Sequence, residues 1–237
     1  MSTVGNVAMV LAAGFGVRMR PLTNLRPKPL VRVNGKPLIE YALDRLRAAG
    51  VGKAVVNVHH LADQIEAWAR MQKTPSIEIS NERDELLDTG GGVANALPKL
   101  GHEPFFVINS DGFWIEGATP ALQGLRDTWD DAVMDCILLL CPRESTLGYD
   151  GQGDFILGSD GRAGRPRAAK GVPLVYIGAF LVHPRLFEEA PAGKFSMNLL
   201  WDRAIAKGRL FGIAHTGRWI HVGTPDAIAA AEKALTE

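Results

Sequence analysis

A chain of 237 residues, 46% of them hydrophobic, can build one large α/β domain or two small ones with a substantial core. Its 26 Lys and Arg are balanced by 26 Asp and Glu, which argues against a general nucleic-acid binder or a membrane-surface binder and leaves any anion to be met by a local cluster of cations. No apolar stretch is long enough to span a bilayer, and "MSTVGN" lacks the charged start of a signal peptide, so a soluble cytoplasmic protein is expected.

The first strand is predicted at Val7 to Ala13, and the chain then turns irregular through "GFGVRMRPLTNLRPKPL". A helix over "PLIEYALDRLRAAG", closed by Gly50, leads to a strand from Lys53 to His60. "LADQIEAWARM" reads as the next helix, Ser76 to Ser80 as a strand, and "GGVANALPKL" as a helix. Strands follow at Pro104 to Ser110 and Ala132 to Leu140, with the helical "PALQGLRDTW" between them. Apolar strands alternating with amphipathic helices predict a Rossmann-like, doubly wound, mostly parallel sheet with helices on both faces. Cys136 and Cys141, five residues apart on one strand, point to opposite faces and read as buried free thiols. Trp68, Trp129 and Trp201 fall on the apolar sides of helices and read as core.

After Pro142 the chain becomes rich in Gly, Asp and Arg, with one short apolar run at Asp154 to Leu157, which reads as a hairpin-bearing excursion. Regular structure resumes with the strand "PLVYIGAFLVHP", the helix "SMNLLWDRAIAKG", a strand around "RLFGIAH" and a closing helix from Thr224 to about Leu235. Nothing separates independent domains, so residues 1–237 are taken as one.

The chemistry concentrates where the first strand ends, the place at which an α/β sheet binds ligands. Gly14 and Gly16 let backbone N–H groups approach an anion, and Arg18, Arg20, Arg26 and Lys28 put cations on the same loop, so a polyphosphate is the expected guest. The dinucleotide fingerprint would need glycine at Met19, and a P-loop would need G-K-[ST]; neither is present. His59 and His60 sit just after a strand at this edge, where they either touch nucleotide or cap the next helix, and Asp88 reads as a helix cap or a ligand.

"LAAGFGVRMRPLTNLRPKPL", with "VNVHHLADQI", "LLDTGGG", "NSDGFW" and "WIHVGTP", resembles the signature of the sugar nucleotidyltransferase family, across nearly the whole chain. That resemblance implies the nucleotide-diphospho-sugar transferase type of sheet without a C-terminal β-helix, a nucleotide-binding part over about 1–115 and a sugar-binding part over about 116–237. It implies transfer of a nucleotidyl group from an NTP to a sugar 1-phosphate with release of pyrophosphate. Within the family the likeness is to short bacterial enzymes, which implies UTP with N-acetylmuramic acid 1-phosphate in cell-wall recycling. The alternatives are GTP with mannose or heptose 1-phosphate, and a non-catalytic NDP-sugar-binding protein.

By position, the resemblance assigns the base and ribose to backbone around Leu11, Ala13 and Gly14, and the triphosphate to Gly16 and Arg18. Lys28 is matched to the reacting phosphates, Gly90 and Gly91 to a loop closing over the base, and Asp111 to the metal. Gly153, Asp154 and Gly178 are matched to the sugar. Mg²⁺ is the implied cofactor, with Mn²⁺ as the alternative. His221 stands where the family commonly carries a second metal-binding aspartate, so it is either a ligand favouring Mn²⁺ or Co²⁺ or a histidine bonded to phosphate. Arg162, Arg165, Arg167 and Lys170 form a basic run on the sugar side, read as a solvated loop or as a partner for an acidic sugar substituent such as a lactyl carboxylate.

Overall fold

Strand residues in this chain alternate between two apolar faces, and a computed structural model, describing residues 4–167 and 171–236, stacks them into one sheet. In chain order, β1 (Val7–Leu11) is followed by a short hairpin of β2 (Arg32–Val33) and β3 (Lys36–Pro37) and by helix α1 (Leu38–Ala48). Next come β4 (Lys53–Val58), α2 (Ala62–Ala69), β5 (Ser76–Asn81) and α3 (Asp88–Leu100). β6 (Phe105–Asn109), β7 (Gly112–Ile115), α4 (Ala121–Thr128) and β8 (Cys136–Cys141) lead into the excursion. That excursion carries β9 (Thr146–Leu147) and an antiparallel pair, β10 (Ile156–Leu157) with β11 (Ala163–Gly164). The chain then forms β12 (Val175–Val182), α5 (Met197–Ala206), β13 (Leu210–Ala214), β14 (Arg218–His221) and α6 (Asp226–Ala234).

The main sheet has seven strands in the order β13-β8-β12-β6-β1-β4-β5. All neighbours are parallel except β12, which runs antiparallel to both β6 and β8. Ala8, Val10, Val56, Phe106 and Ile108 pack on one face with α1, α2 and α4; Met9, Val55, Phe105 and Val107 pack on the other with α3 and α5. The cysteines divide the same way, Cys136 to the α3 side and Cys141 to the α1 side, and burial pushes both thiols up, Cys141 to about 11. Trp68, Trp129 and Trp201 are buried in these two layers.

A second sheet, β7-β14-β9, was not expected from the sequence. It packs with α6 and the β2-β3 hairpin around a third apolar cluster that includes Met19, Phe113 and Ile220. Two element boundaries also differ from expectation. β1 stops at Leu11 because the Ala12 N–H turns aside to the Asn57 side chain, and α3 starts at Asp88, three residues before the glycine-rich stretch was expected to become helical.

Candidate active site

From β1 the chain moves to β4 and β5 on one side and then returns to place β6 on the other, so winding reverses between β1 and β6. The reversal puts α3 on the opposite face from α1 and α2 and opens a crevice at the carboxyl ends of β1 and β6. Those ends are tied together: Leu11 lies opposite Asn109, and the Ser110 N–H and hydroxyl both donate to the Leu11 carbonyl, at 3.2 and 2.6 Å. Asp111 therefore emerges beside the loop that follows β1.

That loop folds as three short 3₁₀ turns, Val17–Met19, Leu22–Asn24 and Lys28–Leu30. Gly16 starts them in the left-handed region, at φ 60° and ψ 37°. A Cβ there would lie 2.9 Å from the Lys28 Cβ, so the missing side chain is what lets the lysine stem pass. Lys28 Nζ then donates to Asp111 Oδ2 at 3.0 Å. Burial pushes the Asp111 carboxyl up, but the charge and hydrogen bond of Lys28, with the charge of Arg18, more than offset it and hold the group below its ordinary value, hence ionised.

A buried relay braces this wall from behind. Ala12 N–H donates to Asn57 Oδ1 at 2.7 Å, Asn57 Nδ2 to Glu82 Oε1 at 2.7 Å, and the Leu87 N–H to Glu82 Oε2 at 3.0 Å. The relay couples the β1 loop, β4, the end of β5 and the start of α3 through a carboxylate only 3% exposed. Burial pushes the Glu82 carboxyl up, and the Asn57 and Leu87 bonds offset part of that rise. His59 Nδ1 meets the Glu82 carbonyl at 2.6 Å and His60 Nε2 the Thr23 carbonyl at 2.8 Å, with Phe15 packed against both rings. Both histidines brace the loop. Asn57 lay within the quoted "VNVHHLADQI" without a role, Glu82 lay outside the motifs, and only their distant partners reveal what they do.

The crevice is a cavity of about 530 Å³. Leu11, Ala13, Gly14, Gly16, Arg18, Lys28 and Asp111 all line it, joined by Thr89, Lys194 and Gly223, which the sequence reading did not single out. Gly223 lay within the quoted "WIHVGTP"; Lys194 carried no signal. Gly90 and Gly91 are placed differently from expectation: they lie inside the first turns of α3, outside the lining, with both N–H groups donating to the Phe195 carbonyl at 2.9 and 3.0 Å. A Cβ on Gly90 would lie 2.4 Å from the Phe195 ring and one on Gly91 2.3 Å from the Gly193 carbonyl oxygen. They are close-packing glycines, and Asp88 and Thr89 present the helix start to the cavity in their stead. Asp88 Oδ1 accepts from the Thr89 N–H at 2.6 Å.

A second cavity of about 510 Å³ adjoins the first, sharing Arg18, Asp88 and Thr89. Asp154 lines it, its Oδ2 held by the Tyr176 N–H at 2.9 Å, together with Tyr149, Trp201 and Arg165. Gly153 and Gly178 fall outside the lining: the Gly153 N–H bonds to Tyr149 Oη, and Gly178, at the register shift within β12, faces Asn109. Of the basic run, Arg165 lines this cavity, Arg162 is engaged by Asp160 and the Gly208 carbonyl, Arg167 is exposed, and Lys170 lies outside the described residues.

His221, on β14, lines the second cavity with its Nε2 3.4 Å from Arg18 Nη2. Burial lowers its pKa, Asp111 opposes that, and Lys28 and Arg18 add to it, so the ring is neutral at pH 7. Because a guanidinium only donates, Nε2 is the acceptor and Nδ1 carries the proton, buried without a partner. A nitrogen turned toward a guanidinium is poorly set to ligate a cation. Among the described residues no group of three or more His, Cys, Asp or Glu side chains converges as a metal site. Two carboxylates line the crevice, Asp111 beside Lys28 and Asp88 at the start of α3, a sparse donor set that suits an ion on Asp111 completing its shell with phosphate oxygens and water.

Residues 8–146 match the family described as MobA-like NTP transferase domain. The chain is 47% identical to an N-acetylmuramate alpha-1-phosphate uridylyltransferase of Caulobacter vibrioides, covering 100% of both chains. It is 36% identical to the enzyme of that name from Neisseria meningitidis serogroup B, over 92% of this chain and 93% of the other. A solved UDP-glucose pyrophosphorylase in complex with UDP-glucose has the same fold, with a TM-score of 0.80, 18% identity and 99% of both chains covered.

Proposed function

The chain belongs to the MobA-like NTP transferase family, and from that premise we propose that it transfers the uridylyl group of UTP to N-acetylmuramic acid α-1-phosphate, releasing pyrophosphate and forming the UDP-sugar. The observation that carries the chemistry is the meeting of Lys28, Arg18 and the ionised Asp111 at the switch-point crevice. The choice of substrates rests on full-length likeness to two uridylyltransferases with that name.

In this reaction an oxygen of the sugar 1-phosphate, already anionic, attacks the α-phosphorus in line. No strong general base is needed; the barrier lies in bringing two polyanions together and stabilising the charge that shifts onto pyrophosphate. Lys28 is placed to hold the reacting phosphates against Asp111, with its stem fixed over Gly16. Arg18 belongs to both cavities, which puts its charge where nucleotide and sugar phosphates meet. His221, neutral and bonded to Arg18, orients that guanidinium. Asp111 would hold Mg²⁺, or Mn²⁺ in its place, and the ion supplies charge neutralisation at the phosphates when bound. Residues of the first 115 positions furnish most of the nucleotide cavity and residues 148–201 most of the sugar cavity. We read such a UDP-sugar as serving cell-wall recycling in the cytoplasm, a reading with which the two buried free thiols, Cys136 and Cys141, agree.

Pyrophosphate release from the purified protein tests this, with UTP, GTP, CTP and dTTP crossed against muramic, glucosamine, mannose and heptose 1-phosphates in Mg²⁺ and in Mn²⁺. Turnover greatest with UTP and N-acetylmuramic acid 1-phosphate is expected. A GTP preference would move the assignment to a guanylyltransferase, and no release with any pair would leave a binding protein.

A further inference from the structure

We propose that Arg165 reads the carboxylate of the lactyl ether on the sugar, and so sets the preference for an acidic over a neutral sugar 1-phosphate. The inference rests on the muramic acid assignment and adds to it the residue that enforces it.

Of the described cations in the basic run, only Arg165 borders the sugar cavity, and it is held there. Its Nε donates to Asp202 Oδ1 at 2.8 Å and its Nη2 to Asn198 Oδ1 at 2.8 Å, both from α5. The guanidinium lies 4.5 Å over the ring of the buried Phe155. Three contacts on three sides leave the side chain 30% exposed, with little rotamer freedom to lose on binding. Nη1 and the second N–H of Nη2 have no partner among the described residues. That outer edge presents two parallel donors, the geometry a carboxylate accepts.

The rest of the cavity gives the position its selectivity. Asp88, Asp150 and Asp154 line the same space, so an anionic substituent is repelled over much of the wall. Arg18 lies at the boundary with the nucleotide cavity, where the phosphates gather, whereas Arg165 belongs to the sugar cavity alone. Among the described residues, a sugar with its 1-phosphate toward Arg18 thus meets a second, separate cation only at Arg165. Arg162, committed to Asp160 and the Gly208 carbonyl and stacked on Phe211, does not border this space.

The test compares two UTP-dependent reactions whose sugars differ only by the lactyl ether, N-acetylmuramic acid and N-acetylglucosamine α-1-phosphates. In Arg165→Gln, kcat/KM for the lactyl sugar is expected to fall about 100-fold more than for the neutral one, the worth of a charge-assisted bidentate contact. Where the neutral sugar turns over too slowly, its Ki as a competitor of the lactyl sugar takes the place of kcat/KM. Asp202→Asn loosens the same tether while keeping the guanidinium, and should change the ratio by only a few-fold. Equal losses on both sugars in Arg165→Gln would make Arg165 a structural tether and overturn the proposal while leaving the uridylyltransferase assignment standing. Absence of wild-type turnover with N-acetylmuramic acid 1-phosphate overturns both.

Discussion

Lys28 and Asp111 come from opposite ends of the nucleotide half and meet at 3.0 Å, and this pair is where the reaction is most exposed to a single substitution. Asp111→Asn keeps the shape and the hydrogen bond to Lys28 but removes the charge that binds the divalent ion. We expect kcat to fall by about 10²–10³-fold, as when one electrostatic group is lost from a preorganised site, with the UTP dissociation constant within a few-fold of wild type. Lys28→Ala should likewise lower kcat more than it weakens UTP binding. Stopped-assay kinetics with calorimetric titration of UTP check both, and wild-type turnover in Asp111→Asn would remove Asp111 from the metal site. The sequence suggested Arg18 and Lys28 through the cations clustered on the loop after the first strand and Asp111 through the family motif, and the fold brings the three to one crevice. Gly90 and Gly91 were misread for the opposite reason: their N–H groups go to Phe195, a contact that the local sequence does not encode.

At the scale of elements, α3 is the piece whose placement most needs its neighbours. Three successive glycines disfavour a helix on intrinsic grounds, and the sequence pattern announces helix only from Gly91 onward, three residues late. The helix forms because Gly90 and Gly91 admit the 193–195 segment against its first turns and Gly92 admits Glu82 and Asn57. Gly91→Ala would set a methyl 2.3 Å from the Gly193 carbonyl oxygen, a backbone atom that cannot rotate away. The expected cost is about 1–3 kcal/mol of stability, read from urea midpoints, with a raised KM for UTP because Asp88 and Thr89 of the same turn line the nucleotide cavity. An unchanged midpoint would mean that the two segments are not packed as described. Other element boundaries failed on the same kind of evidence. β1 ends early through a bond to Asn57, and the four-residue strands β7 and β14 are too short for alternation to announce them.

For the molecule as a whole, the strand-helix rhythm made the parallel sheet legible, since apolar strands covered on both faces leave few other arrangements. The reversed direction of β12 was not legible, because direction is set by long-range pairing with β6 and β8 and leaves no mark in an apolar run. The closed packing carries a consequence for stability in acid. His183, His215 and His221 all have lowered pKa values, in each case chiefly from burial; His183 Nδ1 accepts from the Arg185 N–H and His221 Nε2 faces Arg18, bonds that need neutral rings, while the His215 bond to the Ile115 carbonyl opposes part of the lowering. Unfolded, each titrates near 6.5, so as pH falls below that value the unfolded chain takes up protons that the folded one refuses, and stability declines. Glu82 pulls the other way, since its raised pKa means that the folded state gains a proton first as pH drops toward 4.5. With three groups against one, unfolding free energy should be level above about pH 7 and fall by about 1–2 kcal/mol between pH 7 and 5.5. Urea titrations across that range measure it, and His183→Gln should flatten the slope. Stability that held or rose toward pH 5.5 would show the rings binding protons within the fold, and with that the neutral His221 beside Arg18 would be lost.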